Sequence, residues 1–211
     1  MDSTQMSGQG VSKRVQSRVN VRNMTVTAML SAAAFVLMFL DTAVPIMPNF
    51  IKLDLSELPA LIASFALGPI WGVIVCLIKN LLHLTMTQTG GVGELSNFIL
   101  GASFVLPAGL IYHRKKTKKR AILGAFIGAL IMGVISFPSN LYVVYPVYYN
   151  FMPKDVIIAA YQVLAPFAKI DSIEKCLLFF NVPFTFVKGM ISAVITILIY
   201  QPLRPLLKGN N

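Results

Sequence analysis

The stretch FIKLDLSELPALIASFALGPIWG, Phe50 to Gly72, decides the fold. It opens on a polar patch of Lys52, Asp54, Ser56 and Glu57 and runs apolar from Leu58 to Leu67. It breaks at Gly68-Pro69 before Ile70-Trp71 begins a second apolar run. Proline has no amide hydrogen to donate and drives the preceding residue away from helical angles. The stretch therefore predicts a short helix, a tight corner and a return helix. A bilayer core asks for roughly 20 apolar residues, so the first run only just crosses one. Short or interrupted spans often lie beside binding sites, because irregular backbone at depth has to be buried in protein or line a cavity. The polar patch sits at the mouth of the segment, where a lid or a ligand rim belongs.

The rest of the chain has the same character. Of 211 residues, 56% are hydrophobic and 12% charged, with mean hydropathy +0.72. Soluble domains carry about 25% charge. The expected fold class is an all-α integral membrane protein with six transmembrane helices, over residues 24–40, 57–67, 70–86, 93–112, 121–145 and 173–200. Outer loops then fall at 41–56, 87–92 and 146–172, and inner loops at 68–69 and 113–120. Residues 1–22 are expected to form a disordered cytoplasmic tail, and 23–207 a single membrane domain. The N-terminal basic region and apolar helix have the order of a signal peptide, but no small-residue cleavage site follows, so an uncleaved first span is expected. Pro138 is expected to kink the fifth span. In the last outer loop, Pro153 to Ala165 reads as a short helix ended by Pro166, lying on the membrane or over the protein.

The net charge of +10 raises the question of nucleic acid, and its distribution answers it. The basic residues form short blocks between apolar runs, a topology signal rather than a nucleic-acid-binding face. Lys13, Arg14, Arg18, Arg22, the six basic residues from Arg114 to Arg120, Arg204 and Lys208 fall on one side. Lys52, Lys154, Lys169 and Lys175 fall on the other, mixed with Asp54, Glu57, Asp155, Asp171 and Glu174. The positive-inside rule puts both termini in the cytoplasm. Cys76 and Cys176 lie in or beside apolar runs and read as packing residues without a disulfide. The sequence has no GxxxxGK[ST] phosphate loop, no HExxH or paired-cysteine metal motif, and no nucleophile–base–acid set. An enzyme, a resident cofactor and ATP hydrolysis by this chain are therefore not expected. Six spans are also few for a self-sufficient transporter with inverted repeats.

Polar residues inside the spans carry the functional reading. Lys79 and Lys188 each cost about 2.5–3.5 kcal/mol at bilayer depth and should face the protein interior with a partner. Structural pairing with a carboxylate, or snorkelling, accounts for such lysines too. Lys79 and His83 share a helix face with Glu94 across the outer loop, and a structural cluster explains that trio as well as a site does. Asn80, Asn97, Asn140 and Asn181 exceed the one buried amide that helix glue needs. Around them stand Phe137, Tyr142, Tyr145, Tyr148, Phe180 and Phe184, each of which alone suits a core or an interfacial belt. Amides, a lysine and aromatics together describe a pocket for a planar, hydrogen-bonding, mostly uncharged ligand. On the first span, Ala28 and Ala32 are small residues four apart, suited to packing within the protein or to docking a membrane partner.

Three runs, KLDLSELPALIASFALGP (Lys52 to Pro69), IKNLLH (Ile78 to His83) and TGGVGELSNFILGASFVLPAGLIY (Thr89 to Tyr112), resemble the riboflavin-binding substrate-capture (S) components of energy-coupling-factor (ECF) transporters. NVPFTFVKG (Asn181 to Gly189) resembles the last helix of that family. The likeness spans nearly everything after residue 24. It implies a six-helix fold with cytoplasmic termini, a bacterial cell membrane location, and riboflavin entering from outside into a pocket closed by the first outer loop. It also implies a membrane-coupling subunit and two ATP-binding-cassette ATPases on other chains, with Ala28 and Ala32 docking on the membrane partner. Asn140 and Lys188 are carried over as riboflavin-binding, followed by Leu53, Asp54 and Glu57 on the first loop. The family's amide near Lys188 falls on Asn181 or is replaced at Thr185. With Lys79, Asn97, Tyr145 and Phe184 from the residues themselves, these complete the expected site. The alternatives are an S component for another vitamin or flavin analogue, or a non-catalytic membrane scaffold. Thiamine ranks lower, because the one tryptophan, Trp71, lies at the inner corner.

Overall fold

The chain turns at Gly68-Pro69 as the sequence requires. Helix α2 (Glu57–Ala66) ends there and α3 (Pro69–His83) starts, with proline in its first turn and Gly68 at φ 133, a value that disfavours any side chain. The computed structural model describes residues 3–45, 47–48, 52–87, 90–150, 153–164 and 171–208, with side chains described outside 3–20, 43, 52 and 201–208.

Around this corner stand α1 (Ser3–Phe39), α4 (Val92–Arg114), α5 (Lys118–Ser139) and α9 (Val182–Lys208). Helix α5 runs on through a π-helical segment, Asn140–Val144, into α6 (Tyr145–Tyr148). After α7 (Lys154–Leu164), α8 (Ile173–Cys176) leads through a second π-helical segment, Leu177–Asn181, into α9. Among the described residues, five stretches are long and apolar enough to cross a membrane: Val21–Phe39, Pro69–Met86, Val92–Arg114, Lys118–Tyr148 and Ile173–Tyr200. Helix α2 is apolar but shorter.

Several expectations are corrected. The apolar span begins at Val21, close to the expected Met24, but its helix starts at Ser3, so residues expected to form a disordered tail continue the helix. No proline interrupts residues 3–39, and adding turns to an existing helix costs far less than starting one. The first outer loop is not wholly irregular. β1 (Thr42–Ala43) and β2 (Lys52–Leu53) pair antiparallel, Thr42 opposite Leu53, which ties the loop's two ends together. Pro138 sits inside α5, and the irregular turn begins only at Asn140. Two further prolines, Pro146 and Pro183, stand just beyond the irregular turns. Each lacks the amide that would bond the carbonyl four residues back, Tyr142 or Phe179, and each of those carbonyls lies within a π segment. The short helix of the last loop starts after Pro153 as expected and lies over the protein, with Ile157 and Tyr161 fully buried. Pro166 lies outside the described residues.

Near the corner the helices touch almost backbone to backbone. A Cβ added at Gly124 of α5 would lie 2.6 Å from the Ala108 carbonyl oxygen of α4, and one at Gly72 of α3 would lie 2.8 Å from that of Ala60 of α2. Ser64 of α2 donates to the Val105 carbonyl of α4 at 2.7 Å. Lipid tails are as apolar as leucine, so close van der Waals packing and such interhelical hydrogen bonds hold this part together. Phe65, Phe104, Val105, Ala129 and Met132 fill it with almost no exposure, and Cys76 packs among them.

Candidate functional site

At the far end of the same helices the packing opens into a cavity of about 230 Å³. Each wall comes from a different element. Gly93, Ser96, Asn97 and Leu100 lie along one face of α4; Met132 and Asn140 lie two turns apart on α5 and its π segment; Asn181, Phe184, Thr185 and Lys188 follow one face into α9. The spacing of three and four residues puts each set on one stripe. Val144, Tyr145 and Tyr148 add an apolar and aromatic wall, and Asp54 and Glu57 close the side under the first outer loop. The Tyr145 hydroxyl lies 2.8 Å from that of Tyr161, so α7 braces this wall from outside.

The charged groups form one network. The Lys188 ammonium donates to Asp54 Oδ2 at 2.8 Å and lies 3.3 Å from Glu57 Oε1. The fully buried Lys79 lies 3.4 Å from the same Glu57 oxygen and donates to Ser56 Oγ, which in turn bonds Asp54 Oδ1. Two ammonium groups therefore face two carboxylates. Unpaired charges would be prohibitive at this depth, and the balance removes that cost. Burial alone would raise the Asp54 carboxyl. Lys188 and Lys79, with the hydrogen bonds from Lys188 and Ser56, hold it well below the usual carboxylate range instead.

Two acceptors in this wall have no hydrogen-bond partner among the described residues: Glu57 Oε2 and Asn97 Oδ1. Both belong to residues lining the cavity. A buried acceptor left unmade costs about 1–3 kcal/mol, so both await donors from whatever fills the space. Asn140 uses one amide hydrogen on the Ser136 carbonyl at 2.8 Å.

Of the residues singled out from sequence, Asp54, Glu57, Asn97, Asn140, Tyr145, Asn181, Phe184, Thr185 and Lys188 meet in this cavity. Leu53 sits half-buried in β2 and is not part of the lining. Lys79 lies behind Glu57 rather than in the wall. It also leaves the cluster with His83 and Glu94, because buried Glu57 draws it toward the start of α2. His83 Nδ1 and Glu94 Oε1 pair without it at 2.8 Å, and Thr87 donates to the other Glu94 oxygen at 2.9 Å. Asn80 turns back to the Cys76 carbonyl at 2.7 Å. Tyr142 is 74% exposed, and Phe137 and Phe180 pack under α7 with Tyr161 and Leu177. The reading missed Gly93, Ser96, Leu100, Met132 and Val144, and placed Tyr148 only among the aromatics. Three of these have a signal in hindsight: Gly93 and Leu100 flank Asn97 at helical spacing, and Met132 lies two turns before Asn140.

A buried polar cavity inside a bundle of membrane-crossing helices, with no metal-binding cluster among the described residues, has the form of a small-molecule capture site. The chain belongs to the substrate-specific components of ECF transporters, the family it matches over residues 22–200. It is a multi-pass protein of the bacterial membrane and a transporter subunit. Among its relatives, riboflavin transporter RibU of Staphylococcus aureus is 34% identical, covering 93% of this chain and 97% of that one. Riboflavin transporter FmnP of Bacillus subtilis is 29% identical, covering 89% and 94%. A solved S component of a bacterial ECF transporter superposes with a TM-score of 0.70 at 33% identity, over 90% of this chain and 99% of that one.

Proposed function

We propose that this chain captures riboflavin from outside the cell and delivers it inward together with a membrane-coupling subunit and two ATPases. The observation that carries the reading is the cavity's donor and acceptor set: three amides, a lysine and two unsatisfied acceptors between aromatic and aliphatic walls. The uracil-like edge of isoalloxazine alternates acceptor and donor, which an asparagine amide meets with both its groups. Asn140 and Asn181 take that edge, and Lys188 favours electron density at a ring carbonyl. Tyr145, Phe184 and Leu100 enclose the tricycle. Glu57 Oε2 and Asn97 Oδ1 accept from ribityl hydroxyls or the ring N–H. The chain crosses the membrane six times, with α2 as the short crossing and both termini in the cytoplasm, so the cavity faces outward. The first outer loop closes it through the Asp54–Lys188 pair. Ala28 and Ala32, both exposed on α1, form the face that docks the membrane partner.

The test is the absorption spectrum of the detergent-purified protein. Flavin bands, released on denaturation and identified as riboflavin by mass, are expected. Colourless protein that also fails to quench added riboflavin fluorescence overturns the proposal.

A further inference from the structure

A second cavity, of about 170 Å³, lies at the opposite end of the bundle. Phe65 of α2, Tyr112 of α4, Ala121 of α5, and Ile197 and Tyr200 of α9 form its walls, and Lys116, Thr117 and Lys118 form its rim. The three rings make one cluster, with Phe65 4.8 Å from Tyr112 and 5.9 Å from Tyr200 between centroids. Their polar ends are engaged: the two tyrosine hydroxyls lie 3.4 Å apart, and that of Tyr200 donates to the Phe65 carbonyl at 3.3 Å. Thr117 Oγ1 caps α5 by accepting from the Arg120 amide at 3.3 Å. The floor is therefore apolar. The rim presents two exposed lysines, and among the described residues no carboxylate lines the cavity.

An aromatic floor under a cationic mouth matches a molecule with a phosphate at one end and carbon at the other. We propose that this cavity seats the headgroup of an anionic phospholipid of the inner leaflet, with its phosphate between Lys116 and Lys118 and its adjoining carbons on Tyr112, Ala121 and Ile197. The inference rests on the orientation proposed above, which puts the 113–120 loop at the cytoplasmic surface. Anionic lipid is concentrated there, and basic pockets between spans hold lipid headgroups. A lysine ammonium is a point charge suited to phosphate. The capture cavity and this one share no lining residue, so their ligands are independent.

The test uses the full chain in neutral detergent, with lipid retention followed by native mass spectrometry. Phosphatidylglycerol, phosphatidylcholine and inorganic phosphate are added in turn. Phosphatidylglycerol is expected to be retained in preference to phosphatidylcholine. K116Q/K118Q should weaken that retention about tenfold. K115Q/K119Q removes the same charge from the same loop at residues outside the cavity lining, and should leave retention intact. Equal weakening by both pairs, or equal retention of both lipids, overturns the proposal. Displacement of the lipid by millimolar phosphate would make this a site for a free anion and overturn the lipid. Riboflavin titration of K116Q/K118Q should match the parent chain, and failure of the parent to bind riboflavin would count against the capture reading alone.

Discussion

The two halves of α5 follow different rules. From Ala121 to Ala129 it is a packing element, with Gly124 and Gly128 set so close to the Ala108 and Phe104 carbonyls of α4 that no side chain fits between them. From Met132 through the π segment to Tyr148 it is a site element, carrying Met132, Asn140, Val144, Tyr145 and Tyr148 into the cavity. The same division runs through α4 and α9. Close packing at one end supplies the rigidity that lets the other end remain open and polar. In a membrane this arrangement is demanding, because no hydrophobic drive assembles the helices and only contact holds them.

That division can be broken from either side. The largest effect is expected from Gly124→Val. Its new side chain has to push α4 and α5 apart at about 1–3 kcal/mol or more, and the readout is loss of monodisperse protein on size exclusion together with riboflavin binding. Lys188→Ala leaves Lys79 alone against two buried carboxylates, so it should lower thermal stability, and in the folded protein weaken riboflavin binding ten- to a hundredfold, the worth of one charged hydrogen bond. Fluorescence titration checks it, and unchanged affinity would remove Lys188 from the site. Asn97→Ala should cost about tenfold by the same titration, since it deletes an acceptor that only a ligand satisfies. The double change Ala28→Leu and Ala32→Leu should not move riboflavin affinity in detergent at all. It should lower riboflavin uptake in cells carrying the partner subunits. A fall in affinity would mean that this face packs inward.

Much of this was legible in the residues, and the failures have definite causes. The Gly68-Pro69 corner was readable because only glycine and proline chemistry suits it. The amides Asn97, Asn140 and Asn181 were readable because polar side chains in apolar helices need a reason. What sequence could not separate was Lys79 from Lys188. Both are lone lysines in apolar helices, and only the folded position of Glu57 decides that one braces a carboxylate from behind while the other stands in the wall. The aromatics failed similarly, since Tyr142 and Tyr145 look alike along the chain, but the irregular turn leaves the first exposed and buries the second. Gly93 could be found only through its spacing from Asn97, and Ser96 carries no signal of its own.

The two π segments have a consequence for how a single rod serves two neighbours. An α-helix advances about 100° per residue, so one extra residue in a turn rotates everything beyond it by about that angle. The π segment therefore turns Val144, Tyr145 and Tyr148 back toward the cavity that Met132 and Asn140 already face, along one unbroken backbone, and a second such turn, Leu177–Asn181, leads into α9. Each segment works as a phase shifter between two sectors of a shaft. Its setting is one residue, recorded in the chain by a proline two places beyond it.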